Sequence, residues 1–166
     1  MERAATSEDF YREDGILNRL SVPRRNQLIG ELVSLLLCSP MHRRYLVNDI
    51  GAVFFPPIHL NQFRIYRSKD RVIGFVTWAF VSEEVERQYL SGSYNMKPQD
   101  WNCGERIWII DFMAPFGHAK SIIHDLRQNI FPDRTGSAVR INPDGKVKGI
   151  MKLRGANSTK TKSTMN

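Results

Sequence analysis

Cysteine is scarce in this chain of 166 residues. Cys38 and Cys103 are the only two, they lie far apart, and neither belongs to a CxxC pair. Neither a disulfide framework nor a zinc site is indicated by that pattern. The four histidines, His42, His59, His118 and His124, show no HExxH or other paired spacing, so a metal site has little support. Glycine-rich phosphate loops are missing too: neither GxGxxG nor GxxxxGK(S/T) occurs. Apolar runs fall well short of the ~20 residues that span a bilayer, so no transmembrane segment is expected. The opening "MERAATSEDFYRED" is polar and acidic where a secretory signal needs an apolar core. These absences together point to a reduced, cytoplasmic protein with no bound metal or cofactor.

Apolar side chains are plentiful. Hydrophobic residues make up 42% of the chain and charged ones 25%, enough of the first for a real core and too few of the second for wholesale disorder. The length fits one domain. Its expected limits are residues 25–155, with an N-terminal extension over 1–24 and a polar basic tail over 156–166. Charge is basic, net +7, which favours acidic partners: nucleic acid, anionic lipid, acidic protein or a phosphate-bearing donor. Part of the excess sits in "KVKGIMKLRGANSTKTKSTMN", where Lys and Arg meet no acid.

Periodicity then orders the chain. "NQLIGELVSLLL" places Leu28, Leu32, Leu35 and Leu36 at helical spacing, which predicts a helix over 26–37. Pro40 disfavours helical geometry at Ser39 and so ends it. "HLNQFRIYRSKDRVIGFVTWAF" predicts a hairpin turning at "SKD", whose second strand is apolar on both faces and therefore central. "SEEVERQYL" predicts a short helix capped by Ser82. "ERIWIIDFMAPFG" predicts a second buried strand, "AKSIIHDLRQNIF" an amphipathic helix, and "SAVRINPDGKVKGIMKLRG" a last hairpin around "NPDG". The order is helix, two strands, helix, strand, helix, two strands. It specifies one α/β domain on a mixed, largely antiparallel sheet flanked by helices.

Two residues stand out chemically. His42 follows the Ser-Pro stop beside Arg43 and Arg44, where a partly buried imidazole is suited to general-base work near neutral pH. Asp111 interrupts "IWIIDFMAPF", and a buried carboxylate is costly unless paired. Its partner is either an arginine, such as Arg106 or Arg140, or the Nδ1–H of a histidine. Cys38 and Ser39 lie within a turn of His42, but neither stands in a nucleophile-elbow or papain-like setting. His59, His118 and His124 read as ordinary surface or loop histidines.

Three stretches, "SPMHRRY", "NQFRIYRSKDRVIGFVTWAF" and "WNCGERIWIIDFMAPFG", together resemble the toxin-activating lysine acyltransferases that accompany RTX-type toxins of Gram-negative bacteria. The resemblance covers about residues 26 to 155. It implies a GNAT acyltransferase-like fold and transfer of a fatty acyl group from acyl carrier protein to internal lysines of an RTX-type protoxin. On this basis the catalytic histidine falls on His42 and the catalytic aspartate on Asp111, with Ser39 auxiliary. The donor is acyl-loaded carrier protein, no cofactor is held, and a homodimer is compatible with the family's habit. Arg43, Arg44, Arg64 and Arg67 are candidates for steering the acidic carrier. Phe75, Trp78, Trp108 and Phe112 are candidates for lining an acyl pocket, against core packing as the plainer role. The chain departs from the family at "LVSLLLC", where relatives are rich in Trp. The rival readings are a non-catalytic basic adaptor or chaperone for an acidic protein partner and, on charge alone, a nucleic-acid binder. The last has no reading motif and ranks lowest, so no nucleic acid is expected among the partners.

Overall fold

Helix α1 runs from Val22 to Cys38 and buries Leu28, Leu32, Leu35 and Leu36, the stripe that its spacing predicts. It begins four residues ahead of the expected start, with Pro23 in the first turn, where a missing N–H costs nothing. The computed structural model describes residues 22–69, 71–142 and 147–158. Most of the expected N-terminal extension, the centre of the "NPDG" turn and residues 159–166 lie outside the described residues.

After α1 the chain makes a one-turn 3₁₀ helix, His42–Arg44, and enters a second helix, α2 (Val47–His59). The sequence expectation had no element here, because Pro56 and Pro57 read as a loop. Proline removes an N–H and crowds the preceding turn, yet both prolines sit inside α2. Burial of Phe54, Pro57 and Ile58 offsets that cost, with Phe54 and Ile58 joining the core formed by the α1 leucines.

Five strands follow: β1 (Phe63–Ser68), β2 (Arg71–Val81), β3 (Arg106–Met113), β4 (Thr135–Ile141) and β5 (Val147–Arg154). Helix α3 (Glu83–Leu90) lies between β2 and β3, and α4 (Ala119–Asp125) between β3 and β4. Ser82 caps α3, its hydroxyl accepting from the Val85 N–H at 3.2 Å. The spatial order is the chain order, β1-β2-β3-β4-β5. Only the β3–β4 pair is parallel; the other three are antiparallel. This is the mixed, largely antiparallel sheet flanked by helices that the sequence specifies, and it is consistent with a GNAT-like architecture.

Three apolar clusters cover the sheet. One joins α1 and α2 to Phe63, Ile65, Phe75 and Met113. A second, on the α4 side, holds Val76, Trp78, Ile107, Ile109, Ile122 and Leu126. The third packs Val85 of α3 on Ala79, Trp101 and Trp108. Strand β2 is buried on both faces, as a central strand must be. Among the described residues no helix is long and apolar enough to cross a membrane.

Candidate active site

The Ser-Pro corner turns the chain so that Ser39 and His42 face inward. Both are 7% exposed, while Leu37, Cys38, Pro40, Met41, Arg43 and Arg44 around them face out. The corner is held by the Arg43 N–H donating to the Ser39 carbonyl at 3.0 Å and the Tyr45 N–H donating to the His42 carbonyl at 2.9 Å.

Asp111 reaches the same place from the middle of the sheet, and a β-bulge is the reason. Along β3, Ile107 and Ile109 point to the α4 side, where they pack with Trp78. Strict alternation would send Asp111 the same way. The β2–β3 register shifts between Val76 and Trp78, which pair with Phe112 and Ile109, so Thr77 alone faces Ile110 and Asp111. The extra residue reverses the alternation. Phe112 now joins the α4 side, and Met113 joins the core under α1 and α2. Asp111 turns with Met113 toward His42. Its own N–H donates to Thr77 Oγ1 at 3.1 Å, which closes the bulge inside the core.

The two side chains meet, although 69 positions separate them. His42 Nε2 lies 3.2 Å from Asp111 Oδ1, and His42 Nδ1 lies 2.6 Å from Ser39 Oγ. This corrects the sequence expectation in one respect: the ring offers Nε2, not Nδ1, to the carboxylate. A carboxylate only accepts, so Nε2 carries the hydrogen and Nδ1 accepts from the Ser39 hydroxyl. The basic nitrogen therefore lies under Ser39. Of the alternative partners, Arg106 is engaged elsewhere, with Glu83 and Glu86.

A third group joins the pair. The Tyr45 hydroxyl donates to Asp111 Oδ1 at 3.1 Å, and its ring stacks edge-on to His42 with centroids 5.4 Å apart. Burial, then the Asp111 charge and hydrogen bond, hold the Tyr45 phenol well above its usual range. Tyr89 of α3 is pushed up to about 12, first by burial and then by Asp111. Asp111 Oδ2 is buried and has no partner. Sequence reasoning missed Tyr45 and Thr77. Their signals were a phenol three residues after His42 and a lone hydroxyl in the apolar run "VIGFVTWAF".

The remaining candidates separate. His59 ends α2, its Nδ1 donating to the Phe55 carbonyl at 2.7 Å; His118 precedes α4 and His124 lies in its last turn. Among the described residues no group of His, Cys, Asp and Glu could hold a metal ion. Arg64 is buried and pairs with Asp125 at 3.3 Å, and Arg67 pairs with Glu31 at 2.5 Å, so neither is spare for steering. Phe75, Trp78 and Trp108 are packed in the core, whereas Phe112 lines an apolar cleft of about 190 Å³ with Ile109, Ile123, Ala138 and Met151. That cleft opens where the short β3–β4 ladder, Ile107–Ile109 against Gly136–Ala138, comes to its end. Another cleft, of about 270 Å³, is lined by Leu35, Cys38, Arg71 and Phe116 among others.

Comparison with known proteins identifies the family. Residues 23–154 match the RTX toxin acyltransferase family. The lysine-acyltransferase RtxC of Vibrio cholerae is 39% identical over 72% of this chain and 79% of its own length. The RTX-II toxin-activating lysine-acyltransferase ApxIIC of Actinobacillus pleuropneumoniae is 36% identical over 80% of this chain and 83% of its own. An uncharacterized protein of Synechocystis is 43% identical over 72% of this chain and 83% of its own. The chain belongs to the RTX toxin acyltransferase family.

Proposed function

We propose that this protein is a protein-lysine fatty acyltransferase that takes an acyl chain from acyl carrier protein and places it on internal lysines of an RTX-type protoxin in the cytoplasm. The observation that carries the reading is the convergence of His42 and Asp111 at 3.2 Å, both buried, from a helix corner and a central strand. A structural ion pair needs no hydroxyl on its far nitrogen and no phenol on its carboxylate; this one has both.

The chemistry follows from the atoms. A lysine amine is a poor nucleophile while protonated, and its attack on a thioester must shed a proton. The new C–N bond forms as the C–S bond breaks. His42 Nδ1 takes the amine proton, with Ser39 relaying it or swinging aside, and delivers it to the departing thiolate. Asp111 holds Nε2–H and stabilises the imidazolium between those two events.

Relatives named as a protein-lysine myristoyltransferase in Escherichia coli and a protein-lysine palmitoyltransferase in Bordetella bronchiseptica support the acyl and lysine parts of this reading. The test is incubation with acyl-loaded carrier protein and the cognate protoxin, followed by mass mapping of lysines. Wild type adds acyl groups; His42→Ala and Asp111→Asn retain the fold by circular dichroism and lose transfer by at least ~100-fold. A folded His42→Ala protein acting at the wild-type rate would sink the mechanism. Tight binding of the carrier by wild type with no transfer would favour the adaptor reading instead.

A further inference from the structure

The corner that turns His42 inward turns an unusual set of residues outward. Leu37 is 69% exposed, Met41 43%, Leu46 69% and Val47 86%. Soluble surfaces carry single apolar residues freely, but four large exposed ones within eleven positions of one corner are a concentration that asks for a cover. Arg43 and Arg44 lie among them, exposed, and neither makes an ion pair among the described residues. The nearest acid in the chain, Asp49, is half-buried and its carboxylate accepts the Leu46 N–H at 2.7 Å. Exposed apolar side chains interleaved with unopposed guanidinium groups are the composition of a protein interface.

We propose that this corner, Leu37, Met41, Arg43, Arg44, Leu46 and Val47, is the docking surface for the acidic protein that carries the thioester-linked acyl group. The assignment rests on the donor named in the proposed function. Charge complementarity selects the occupant. A second copy of this chain would bring arginines against arginines about a two-fold axis. The acceptor presents a lysine, a cation that two free arginines repel. An acidic carrier meets both demands, placing carboxylates on Arg43 and Arg44 and apolar side chains on Leu46 and Val47. Position agrees with charge: the surface is the outer wall of the turn whose inner wall is Ser39 and His42. A carrier seated there holds its prosthetic arm next to the turn that carries Ser39 and His42. Arg64 and Arg67 are consumed by Asp125 and Glu31, whereas Arg43 and Arg44 are exposed and make no ion pair among the described residues.

The experiment compares wild type with Arg44→Glu and Leu46→Asp in the full-length protein, using acyl-loaded carrier protein and protoxin as substrates. Both residues are exposed, and Asp at a helix N-cap is favourable, so thermal melts should match wild type. The expected result is a rise of at least ~10-fold in the KM for the carrier, with kcat at saturating carrier and the KM for protoxin unchanged. Wild-type KM for the carrier should also rise with salt. A charge-reversed carrier, one acid changed to Lys, should recover affinity for Arg44→Glu. An unchanged carrier KM in both variants overturns the proposal. So does a rise confined to the protoxin KM, loss of a wild-type dimer with carrier KM intact, or loss of anionic-vesicle binding with carrier KM intact. Direct calorimetric titration with the carrier separates this surface from the catalytic reading. If wild type transfers nothing but binds the carrier and the variants do not, the surface stands while the enzyme fails. If wild type does not bind the carrier, the surface falls.

Discussion

Asp111 is a buried carboxylate whose partners do not cover both of its oxygens. It is 4% exposed, one of its oxygens has no partner, and the other is shared by His42 and Tyr45. A carboxylate so placed is tolerable because two donors reach it, an imidazole and a phenol, while Thr77 accepts from its backbone N–H. Removing one donor should be felt without collapse. Tyr45→Phe keeps the ring that lies 6.2 Å from Phe54 and loses only the hydroxyl. A hydrogen bond to a charged group contributes about 1.5 kcal/mol net, so denaturant melts should lose about that amount. Catalysis should respond separately, with kcat falling several-fold and the KM for both substrates unchanged, because the phenol fixes the carboxylate and touches no substrate. Equal kcat in the variant and wild type would reduce Tyr45 to a packing residue.

At the scale of elements, the β2–β3 bulge decides which face of the sheet carries the carboxylate. One residue of register moves a side chain from one face to the other, and the alternation of Ile107 and Ile109 by itself aims Asp111 at α4. The sequence marks Asp111 as out of place in an apolar strand but carries no readable sign of the bulge, since bulges depend on the partner strand and not on local composition. Helix α2 was illegible for a related reason: Pro56 and Pro57 are strong local signals, and only the burial of Phe54 and Ile58 against α1 overrides them. By contrast, α1, α3 and the five strands were readable, because their signals are periodic and capped by Pro40 and Ser82. The convergence of His42 and Asp111 came to the sequence reading from resemblance; its mechanical cause is the bulge. Thr77→Val tests that cause. The substitution keeps shape and deletes the acceptor, leaving a buried N–H unpaired at a cost of about 1–3 kcal/mol. Acyl transfer should fall further than stability explains, and Thr77→Ser should restore it. Full activity in a folded Thr77→Val protein would remove the bulge from the account of the site.

Across the whole molecule, three phenols tie the two sides of the sheet to one pH dependence. Tyr45 and Tyr89 lie near Asp111 on the side of α1 to α3, while Tyr66 packs on the α4 side and donates to Asp125 Oδ2 at 2.9 Å. All three are raised, each first by burial and then by the carboxylate: Tyr89 to about 12, Tyr45 and Tyr66 beyond it. In the unfolded chain a phenol ionises near pH 10. Below that value both states keep their protons and the stabilisation is fully present. Above it the unfolded state sheds protons that the native state retains, so stability falls as pH rises, by up to about 1.4 kcal/mol per unit for each phenol. Net charge passes through zero near the pI of about 9.7, so self-repulsion is smallest where this loss begins and is not its cause. Chemical denaturation between pH 9 and 11 should therefore show a steepening decline in stability. The double variant Tyr45→Phe, Tyr66→Phe, less stable at neutral pH, should decline less steeply over that range, having lost two of these three phenols. Parallel slopes in the two proteins would mean that buried tyrosines do not govern the alkaline limit.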